Sequence, residues 1–470
     1  MATDTPRVLI VAEHASMQFG GEAALPLHYF RGLRQRGIET WLVVHDRTRD
    51  ELKSLFPNDF DCIHFVPDTF WHRFVGQCSQ LLPPRLSYFT LGLMLRVMNQ
   101  LIQRRIIKQI MREQQIDIIH QPIPVSTKEP SMIFDLGVPV VIGPMNGGMD
   151  YPPAFRRMQS RFINLMLKIG GLFPNLLNTL IPGKRKATTL LVANRRTREA
   201  LPKGIRGKVI ELVENGVDLS IWKPKPQIQS SGLENPVEET KTQHLEQTPQ
   251  QPTKFVFVGR LVDWKAVDLL LLAFKHVVEQ VPAKLEIVGD GTERAALEAQ
   301  AKELGLIQPQ SQNTESITQE MASEPQEKDA VHFSGWLSQV DCAQRLLSAN
   351  ALVLPSLFEC GGAVVLEAMA MGLPVIATNW GGPVDYLDES CGILINPASR
   401  DSFINDLAAA MIQMAQHPEL ALAMGRAGRE RVRDYFDWEA KVDTLLEIYQ
   451  EAIERYATER TTLVSKVKFS

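Results

Sequence analysis

The sequence lacks several features that would mark particular classes of protein. Its five cysteines are odd in number and include no Cys-x-x-Cys pair. This excludes a disulfide framework and a thiolate zinc site, and it is typical of a reducing compartment. There is no run of about 18 uninterrupted apolar residues, so we predict no membrane-spanning helix. The N-terminus has no basic segment followed by an apolar one, so we expect no secretory leader and a cytoplasmic protein.

The chain also has no strong net charge, and it has no shortage of apolar residues. The 470 residues are 44% hydrophobic and 22% charged, with a formal net charge of −4. This composition excludes a wholly disordered chain, and the charge argues against a dedicated nucleic-acid binder. The length predicts about two to three domains.

Acidic residues are absent from two long stretches of the first half. Residues 1–220 carry 28 Lys and Arg against 19 Asp and Glu, whereas the remaining 250 carry 22 against 35. Neither residues 69–112 nor residues 151–198 contain an acid, and both stretches are rich in large apolar residues. Basic, apolar helices suit a peripheral contact with the anionic inner face of a membrane. A packed helix with a solvated basic face explains the same pattern, and both interpretations stay open.

Short apolar runs alternate with helical patterns along the chain, which is typical of parallel sheets covered by helices. Seven candidate strands lie between residues 7 and 218, and six lie between residues 254 and 397. We therefore predict an α/β protein with two doubly wound domains, 1–215 and 216–445, with a helix at 446–470 packing back onto the first. Two segments rich in Gln, Pro, Thr and Glu, 225–253 and 308–328, are predicted to be disordered insertions.

The segment 351–383 carries the clearest chemical pattern. A predicted strand is followed by a loop with Glu359 and a glycine pair, and then by a helix. Ligands of open α/β sheets bind beyond the carboxyl ends of the strands. Free N–H groups near Gly362, Ala363 and Val364, together with the helix dipole, predict an anion site suited to a diphosphate.

Two glutamates stand eight residues apart in this segment. Glu359 is expected at the mouth of the site, and Glu367 lies about one turn into the helix among apolar residues. Burying a carboxylate without a partner is costly. We therefore expect Glu367 to accept hydrogen bonds from the vicinal hydroxyls of a ribose.

The segment PSLFECGGAVVLEAMAMGLPV resembles the E-x7-E signature of the retaining nucleotide-sugar glycosyltransferases of family four. The resemblance extends to residues 255–274, 285–291 and 333–338, in the order that the family has. It covers nearly all of the chain outside the two predicted insertions. It implies the GT-B fold, in which two Rossmann-like doubly wound domains face a central cleft, the N-terminal one on the acceptor side.

The resemblance also implies roles for individual residues of the second domain, which would bind the nucleotide sugar. Arg260 and Lys265 would bind the donor diphosphate and stabilise the leaving nucleotide. Glu359 would contact the hydroxyls of the donor sugar, and Gly289 and Asp290 would line the nucleotide. One departure from the family is that Ala266 follows Lys265, where a glycine is usual.

In the first domain, Gly20 and Gly21 resemble the glycine-rich loop that approaches the donor phosphate or the acceptor. His120 ends a predicted strand at a position where the family commonly keeps a histidine near the reacting sugar, so it is included among the catalytic candidates. Asn146 lies in a loop expected on the acceptor side.

The resemblance implies transfer of a hexosyl group from a UDP- or GDP-sugar to a hydroxyl acceptor, with retention of anomeric configuration. The sequence does not identify the acceptor, and the basic, apolar stretches are compatible with a lipid-linked or polysaccharide acceptor, in glycan, polysaccharide or glycolipid assembly. Asp59 and Asp61 precede a strand and are interpreted as a surface loop, and no other cluster has metal-ligand spacing. We therefore expect no metal and no cofactor besides the donor. A nucleotide-sugar epimerase of the same fold and a catalytically silent, membrane-associated scaffold are the alternatives.

Overall fold

The computed structural model describes residues 5–19, 21–80, 90–158, 173–224, 251–308 and 329–468. The described residues form two compact units. The first holds the residues up to Met149, those at 173–216 and the segment from Asp437 onward. The second holds residues 150–158 and the described residues between Val217 and Phe436.

A parallel sheet of seven strands forms the centre of the first unit. Its strands are β1 (Val8–Val11), β2 (Thr40–His45), β3 (Ile63–Val66), β4 (Ile118–Gln121), β5 (Val140–Met145), β6 (Thr189–Val192) and β7 (Lys208–Glu211). They lie side by side in the order β3-β2-β1-β4-β5-β6-β7, and every adjacent pair is parallel. Most are short runs of Val, Ile and Leu, as expected of strands that are covered on both faces.

Helices and single 3-10 turns connect these strands. The helices are α1 (Gly21–Gln35), α2 (Arg49–Leu55), α3 (Phe70–Gln80), α4 (Leu91–Glu113), α5 (Phe173–Leu180), α6 (Gly183–Lys186) and α7 (Arg195–Glu199), and 3-10 turns span Asp46–Thr48 and Phe60–Cys62. Side chains alternate along each strand between two hydrophobic clusters. Val8 and Ile10 of β1 belong to one cluster, whereas Leu9 and Val11 belong to the other.

A second parallel sheet, of six strands, forms the centre of the second unit. Its strands are β8 (Thr253–Val258), β9 (Ala283–Val288), β10 (Val331–Gly335), β11 (Ala351–Leu354), β12 (Val375–Thr378) and β13 (Gly392–Ile395). Their order is β10-β9-β8-β11-β12-β13. The order reverses between β8 and β11, and ligands of such sheets bind outside the carboxyl ends of the strands at that point. Each of the 13 predicted strand segments overlaps one of the strands described here, so the predicted doubly wound α/β class is confirmed.

The helices of the second unit are α8 (Val267–Val278), α9 (Arg294–Glu303), α10 (Gln339–Ser348), α11 (Ala363–Ala370), α12 (Pro383–Tyr386), α13 (Arg400–Gln416) and α14 (Pro418–Tyr435). Two 3-10 turns span Pro153–Met158 and Asp263–Lys265. Among all the helices that the structure describes, none combines the length and the hydropathy of a bilayer-spanning segment.

A final helix, α15 (Trp438–Lys468), belongs to the first unit. Its Trp438 ring stacks on His28 with a centroid distance of 4.4 Å. The buried Lys441 ammonium donates to the carbonyl of Val213. These contacts place α15 against α1 and beside the segment that follows β7.

The division into units differs from the predicted boundaries at two places. Residues 150–158 join the second unit, because the Trp380 indole N–H donates to the Asp150 carbonyl at 2.7 Å and Phe155 packs edge-on against Phe403. The returning segment begins near Trp438, not at residue 446, because that ring is already part of the first core. Of the predicted insertions, 225–250 and 309–328 lie outside the described residues, whereas Thr253 already belongs to β8.

Candidate active site

Three loops of the second unit meet at the carboxyl ends of its central strands. The Leu357 N–H donates to the carbonyl of Trp264 at 2.9 Å, which joins the loop after β11 to the loop after β8. The Gly382 N–H donates to the carbonyl of Glu359 at 2.8 Å, which adds the loop after β12. This is the edge of the sheet where the sequence predicts the anion site.

Lys265 and Glu359 form an ion pair where these loops meet. Each side chain keeps only 14% of its exposure, so the pair is largely shielded from solvent. Lys265 ends a 3-10 turn, and Ala266 then adopts a left-handed conformation with φ of 52° before α8 begins. That conformation explains why the family prefers glycine after the lysine, since a Cβ atom disfavours it.

Arg260 lies five residues before this ion pair in the chain, on the loop after β8. Its side chain is exposed and has no hydrogen-bond or ion-pair partner among the residues that the structure describes. A guanidinium group in this state is available to a phosphate, to which it can donate two parallel hydrogen bonds.

The loop that carries Glu359 leads directly into the N-terminus of α11. Gly362 caps the helix in a left-handed conformation, with φ of 82°. A Cβ atom at this position would lie 3.0 Å from Cγ of Glu359. The first intrahelical bond runs from the Val365 N–H to the Gly362 carbonyl at 3.0 Å. The N–H groups of Ala363 and Val364 therefore have no acceptor within the helix, which is the condition for an anion site.

Glu367 lies one turn further along α11. The side chain is part-buried, and desolvation by the surrounding protein raises the pKa of its carboxyl group to about 7. In the described part of the chain it has no hydrogen-bond or ion-pair partner. Cys342 of α10 lies close enough that burial and the Glu367 charge raise the pKa of its thiol to about 11. No sequence signal pointed to Cys342, because only the packing of α10 brings it near α11.

Gly289 and Asp290 fix the loop after β9 to the loop after β8. A Cβ atom on Gly289 would lie 1.9 Å from the carbonyl oxygen of Gly259, so only glycine fits. The Asp290 carbonyl accepts from the Leu261 N–H at 2.9 Å, and its carboxylate pairs with Arg294 at 3.2 Å. The structure thus brings Arg260, Lys265, Gly289, Asp290, Glu359, Gly362, Ala363, Val364 and Glu367 to one edge of one sheet.

The site residues predicted in the first unit do not form a cluster like that of the second unit in the part of the chain that the structure describes. Gly20 lies outside the described residues. Gly21 begins α1, and a Cβ atom there would meet nothing within 4 Å. Asn146 is buried and donates to Glu214 Oε1 at 2.8 Å, and its Oδ1 accepts from Arg196 at 3.1 Å. These bonds make Asn146 a buried crosslink between β5 and later segments.

His120, one of the catalytic candidates, is held inside the first unit, and its catalytic role stays a prediction. Its side chain is fully buried. Nε2 lies 2.6 Å from the carbonyl of Gly143, and Nδ1 lies 2.7 Å from the hydroxyl of Tyr449. Burial lowers the pKa of the imidazole to about 4, so the ring is neutral at physiological pH. His120 therefore connects β4, β5 and α15.

The structure brings together a set of possible metal ligands that the sequence did not indicate, whereas the expectation of no metal stays a prediction. His45, Asp68 and His72 each offer one ligand atom, and these atoms all lie within 4.8 Å of one another. This set of ligands could not be predicted from sequence spacing, because its members come from β2, from the loop after β3 and from α3. Asp59, by contrast, pairs with Arg34 at 2.6 Å.

Comparison with a family model gave a match that lies within the second unit. Residues 239–431 match the family model described as glycosyl transferases group 1. A D-inositol 3-phosphate glycosyltransferase of Saccharomonospora viridis is 28% identical over 262 residues, which are 55% of this chain and 52% of that protein. A protein of the same name from Thermomonospora curvata is 30% identical over 257 residues, 52% of each chain. The match thus spans about half the length of these curated relatives.

Solved structures match over a larger part of the chain. HepE from Anabaena, in complex with UDP, gives a TM-score of 0.58 at 15% identity and covers 95% of this chain and 100% of its own. Sucrose-phosphate synthase from Thermosynechococcus elongatus gives 0.55 at 17% identity, covering 95% and 98%. Similarities at this level of identity show the fold.

Two parallel Rossmann-type sheets of seven and six strands define the GT-B class of glycosyltransferase structures. Within that class, residues 239–431 match the model of the glycosyl transferases group 1, and this segment carries the whole cluster from Arg260 to Glu367. The resemblance to nucleotide-sugar glycosyltransferases of family four, with the GT-B fold, is confirmed.

Proposed function

We propose that this protein transfers a hexosyl group from a UDP- or GDP-sugar to a hydroxyl acceptor with retention of anomeric configuration. The observation that carries the proposal is the Lys265–Glu359 ion pair beside the Gly362-capped N-terminus of α11. A shielded cation and a carboxylate at a free helix terminus suit a ligand with a diphosphate and a polyhydroxylated sugar.

Positive charge at this site would bind the donor diphosphate. Lys265 supplies a part-buried ammonium group, and Arg260 supplies an exposed guanidinium group. The free N–H groups of Ala363 and Val364 add donors at the positive end of the helix dipole. These groups also stabilise the charge that develops on the departing nucleotide, so we propose that the donor needs no metal.

The two glutamates would bind the hydroxyl groups at either end of the donor. Glu359 accepts hydrogen bonds from the sugar, and its pairing with Lys265 holds the carboxylate in place. Glu367 has a desolvated carboxyl group with no partner in the described residues. Vicinal ribose hydroxyls would supply the missing donors.

In the proposed reaction, the bond between the anomeric carbon and the diphosphate oxygen breaks, and a bond to the acceptor oxygen forms on the same face. The acceptor hydroxyl gives its proton to the departing phosphate oxygen. The glutamates bind and orient the donor and do not act as the acid and nucleophile of a glycosidase.

The acceptor is proposed to be a hydroxyl group of a polyol, a glycan or a lipid-linked glycan. The names of curated relatives, which include D-inositol 3-phosphate glycosyltransferase and glycogen synthase, support a polyol or glycan. Peripheral membrane contact is supported by Phe70, Trp71 and Phe74 of α3, which are 67%, 59% and 47% exposed. Sedimentation with anionic and neutral vesicles tests that contact, and failure to pellet with anionic vesicles excludes it.

Ligand-dependent thermal stability tests the donor site. UDP, GDP, ADP and their sugar conjugates are added to the wild type and to Glu367→Ala. Binding at a hundredfold excess over Kd stabilises the folded state by about 2.7 kcal/mol. We expect one nucleotide class to raise the melting temperature of the wild type and to leave that of Glu367→Ala unchanged. No shift with any nucleotide, with or without vesicles and magnesium, would overturn the proposal in favour of a silent scaffold.

Product analysis separates transfer from epimerisation. We expect the sugar of the stabilising donor to appear on an acceptor, with its anomeric configuration kept in the NMR spectrum. Exchange of deuterium into C2 of the sugar, without transfer, would instead identify the epimerase alternative.

A further inference from the structure

A second cluster of functional side chains lies in the first unit, whereas the residues assigned to the donor diphosphate and ribose belong to the second unit. His45 ends β2 and is paired in register with Val66, the last residue of β3. Asp68 follows two residues later, and His72 lies in the first turn of α3. The cluster therefore sits at the carboxyl ends of two neighbouring parallel strands, the edge where α/β sheets bind ligands.

Both imidazole rings are buried, and each has one nitrogen held by the protein. The Arg47 N–H donates to Nδ1 of His45 at 3.2 Å, which leaves Nε2 for another ligand. Nδ1 of His72 lies 2.8 Å from the Thr69 hydroxyl. Nε2 of His72 is buried and has no hydrogen-bond partner within the described residues. A buried ring nitrogen without a partner is costly unless something ligates it.

The charges around the cluster are compatible with a cation. Arg47 is paired with Glu13 at 3.1 Å, so its positive charge is largely compensated. Asp68 is exposed and lies 3.9 Å from Arg73, the outer limit of an ion pair, so it can exchange that partner for a metal.

We propose that His45, Asp68 and His72 form a zinc-type metal site with three protein ligands and one open position. Two imidazoles and a carboxylate are a ligand set that Zn²⁺ accepts. Tetrahedral zinc holds its ligand atoms about 3.3–3.5 Å apart, so side chains that already lie within 4.8 Å need only small adjustments. The Thr69 hydroxyl accepts from Nδ1–H of the bound His72, as outer-shell partners of metal histidines do. Coordination by Nε2 of His45 moves its ring proton to Nδ1 and ends the hydrogen bond from Arg47.

The metal would join the first turn of α3 to the ends of β2 and β3. That helix carries the exposed aromatic residues Phe70, Trp71 and Phe74. A bound ion would therefore hold this aromatic surface in a fixed orientation on the first unit. The site supplies no atom to the proposed donor reaction, so its presence and the transfer activity are tested separately.

Metal binding by the full chain tests the proposal. The protein is stripped with a chelator, and Zn²⁺ is titrated against a competing dye, with Co²⁺ as a spectroscopic probe. We expect one Zn²⁺ per chain and visible Co²⁺ absorption typical of a four-coordinate site. Asp68→Asn, an exposed position that does not threaten folding, and His72→Ala should each weaken Zn²⁺ binding by at least about tenfold. His64→Ala, on neighbouring β3, is the matched control and should bind like the wild type.

Hydrogen exchange provides a second readout. Amide exchange in α3 should slow when Zn²⁺ is added to the wild type, and should not respond in Asp68→Asn. A wild type that binds no Zn²⁺ at micromolar concentration overturns the proposal. Stoichiometric binding that survives both ligand substitutions also overturns it, because the ion would then lie elsewhere.

Discussion

Lys265 and Glu359 form a shielded ion pair although 94 residues separate them in the chain. Each residue comes from a loop that follows one of the two central strands, β8 and β11. The pair exists because those strands are neighbours with their carboxyl ends at the same edge of the sheet. In the proposed function, a donor diphosphate would compete with Glu359 for the Lys265 ammonium group.

Removing either partner should affect donor binding and transfer differently. Lys265→Met removes charge that stabilises the leaving group, and we expect transfer to fall by about 10²–10³-fold. Glu359→Gln frees Lys265, so UDP or GDP should bind at least as tightly while transfer falls. Steady-state kinetics and calorimetry measure the two effects. Lys275→Met, at an exposed pair on α8, should match the wild type, and a fully active Lys265→Met would contradict the assignment.

Nucleotide binding should depend on pH through Glu367. Its pKa of about 7 lies above the usual carboxyl value, so the group is largely protonated below pH 7. Ribose hydroxyls need the carboxylate form as acceptor, so affinity should fall about tenfold between pH 8 and pH 6. Calorimetry in buffers of different ionisation enthalpy should show proton release on binding. A Glu367→Gln variant with the same pH dependence would assign the effect to another group.

The close approach of Gly289 to Gly259 should make the first of these glycines intolerant of substitution. Gly289→Ala places a Cβ atom against the Gly259 carbonyl at φ of +137°. We expect the free energy of unfolding to fall by at least about 3 kcal/mol. Gly305→Ala is the control, because its φ is +69° and a Cβ atom there has open space. Gly305→Ala should lower the free energy of unfolding by about 1 kcal/mol. Equal losses for Gly289→Ala and Gly305→Ala in urea denaturation would contradict the steric role of Gly289.

The His120–Tyr449 hydrogen bond should matter for stability and not for chemistry. Tyr449→Phe leaves a buried ring nitrogen without its partner, which should cost about 1–3 kcal/mol of unfolding free energy. The transfer rate of the folded variant should equal that of the wild type. Tyr456→Phe, on the same helix, should change neither quantity. A large loss of kcat in Tyr449→Phe at full stability would support a catalytic role for His120.

The same histidine should contribute to acid sensitivity. Its folded-state pKa of about 4 lies below the ordinary 6.5, so the unfolded chain binds more protons between these values. The free energy of unfolding should therefore decrease as pH falls from 6.5 to 4, by up to about 3 kcal/mol from this group. Urea titrations at several pH values measure the slope. His120→Gln should flatten it, and an unchanged slope would assign the loss to other groups.

Local patterns in the sequence were enough to predict the strands and the second-unit cluster. Strands of a parallel sheet are short, apolar and separated by helices, so each one is visible in its own segment. Glu359, Gly362 and Glu367 lie within nine residues of one another, in a short loop, at the cap of α11 and in the helix, so the chain itself keeps them close together. Lys265 and Gly289 were expected at this site only from the resemblance to family four, and they lie on loops that follow neighbouring strands of the same sheet.

Other properties depended on contacts between distant segments. His120 lies at the end of a strand, where catalytic residues are common. Its contact with Tyr449 of α15 could not be predicted, because the two residues are far apart in the chain. His45, Asp68 and His72 have no recognisable spacing, because the adjacency of β2 and β3 creates the cluster. The left-handed conformation of Ala266 could not be predicted either, because alanine rarely adopts it.

The return of α15 to the first unit has a consequence for biosynthesis. A ribosome makes residues 1–216 first, then residues 217–436, which hold most of the second unit, and only afterwards the segment from Asp437 that completes the first hydrophobic cluster. Until then Tyr29 and His120 lack their cover of Trp438 and Tyr449. Nascent chains therefore expose an unfinished apolar surface throughout translation of the second unit, which makes them clients for chaperones. The unit that is translated first is the last to mature.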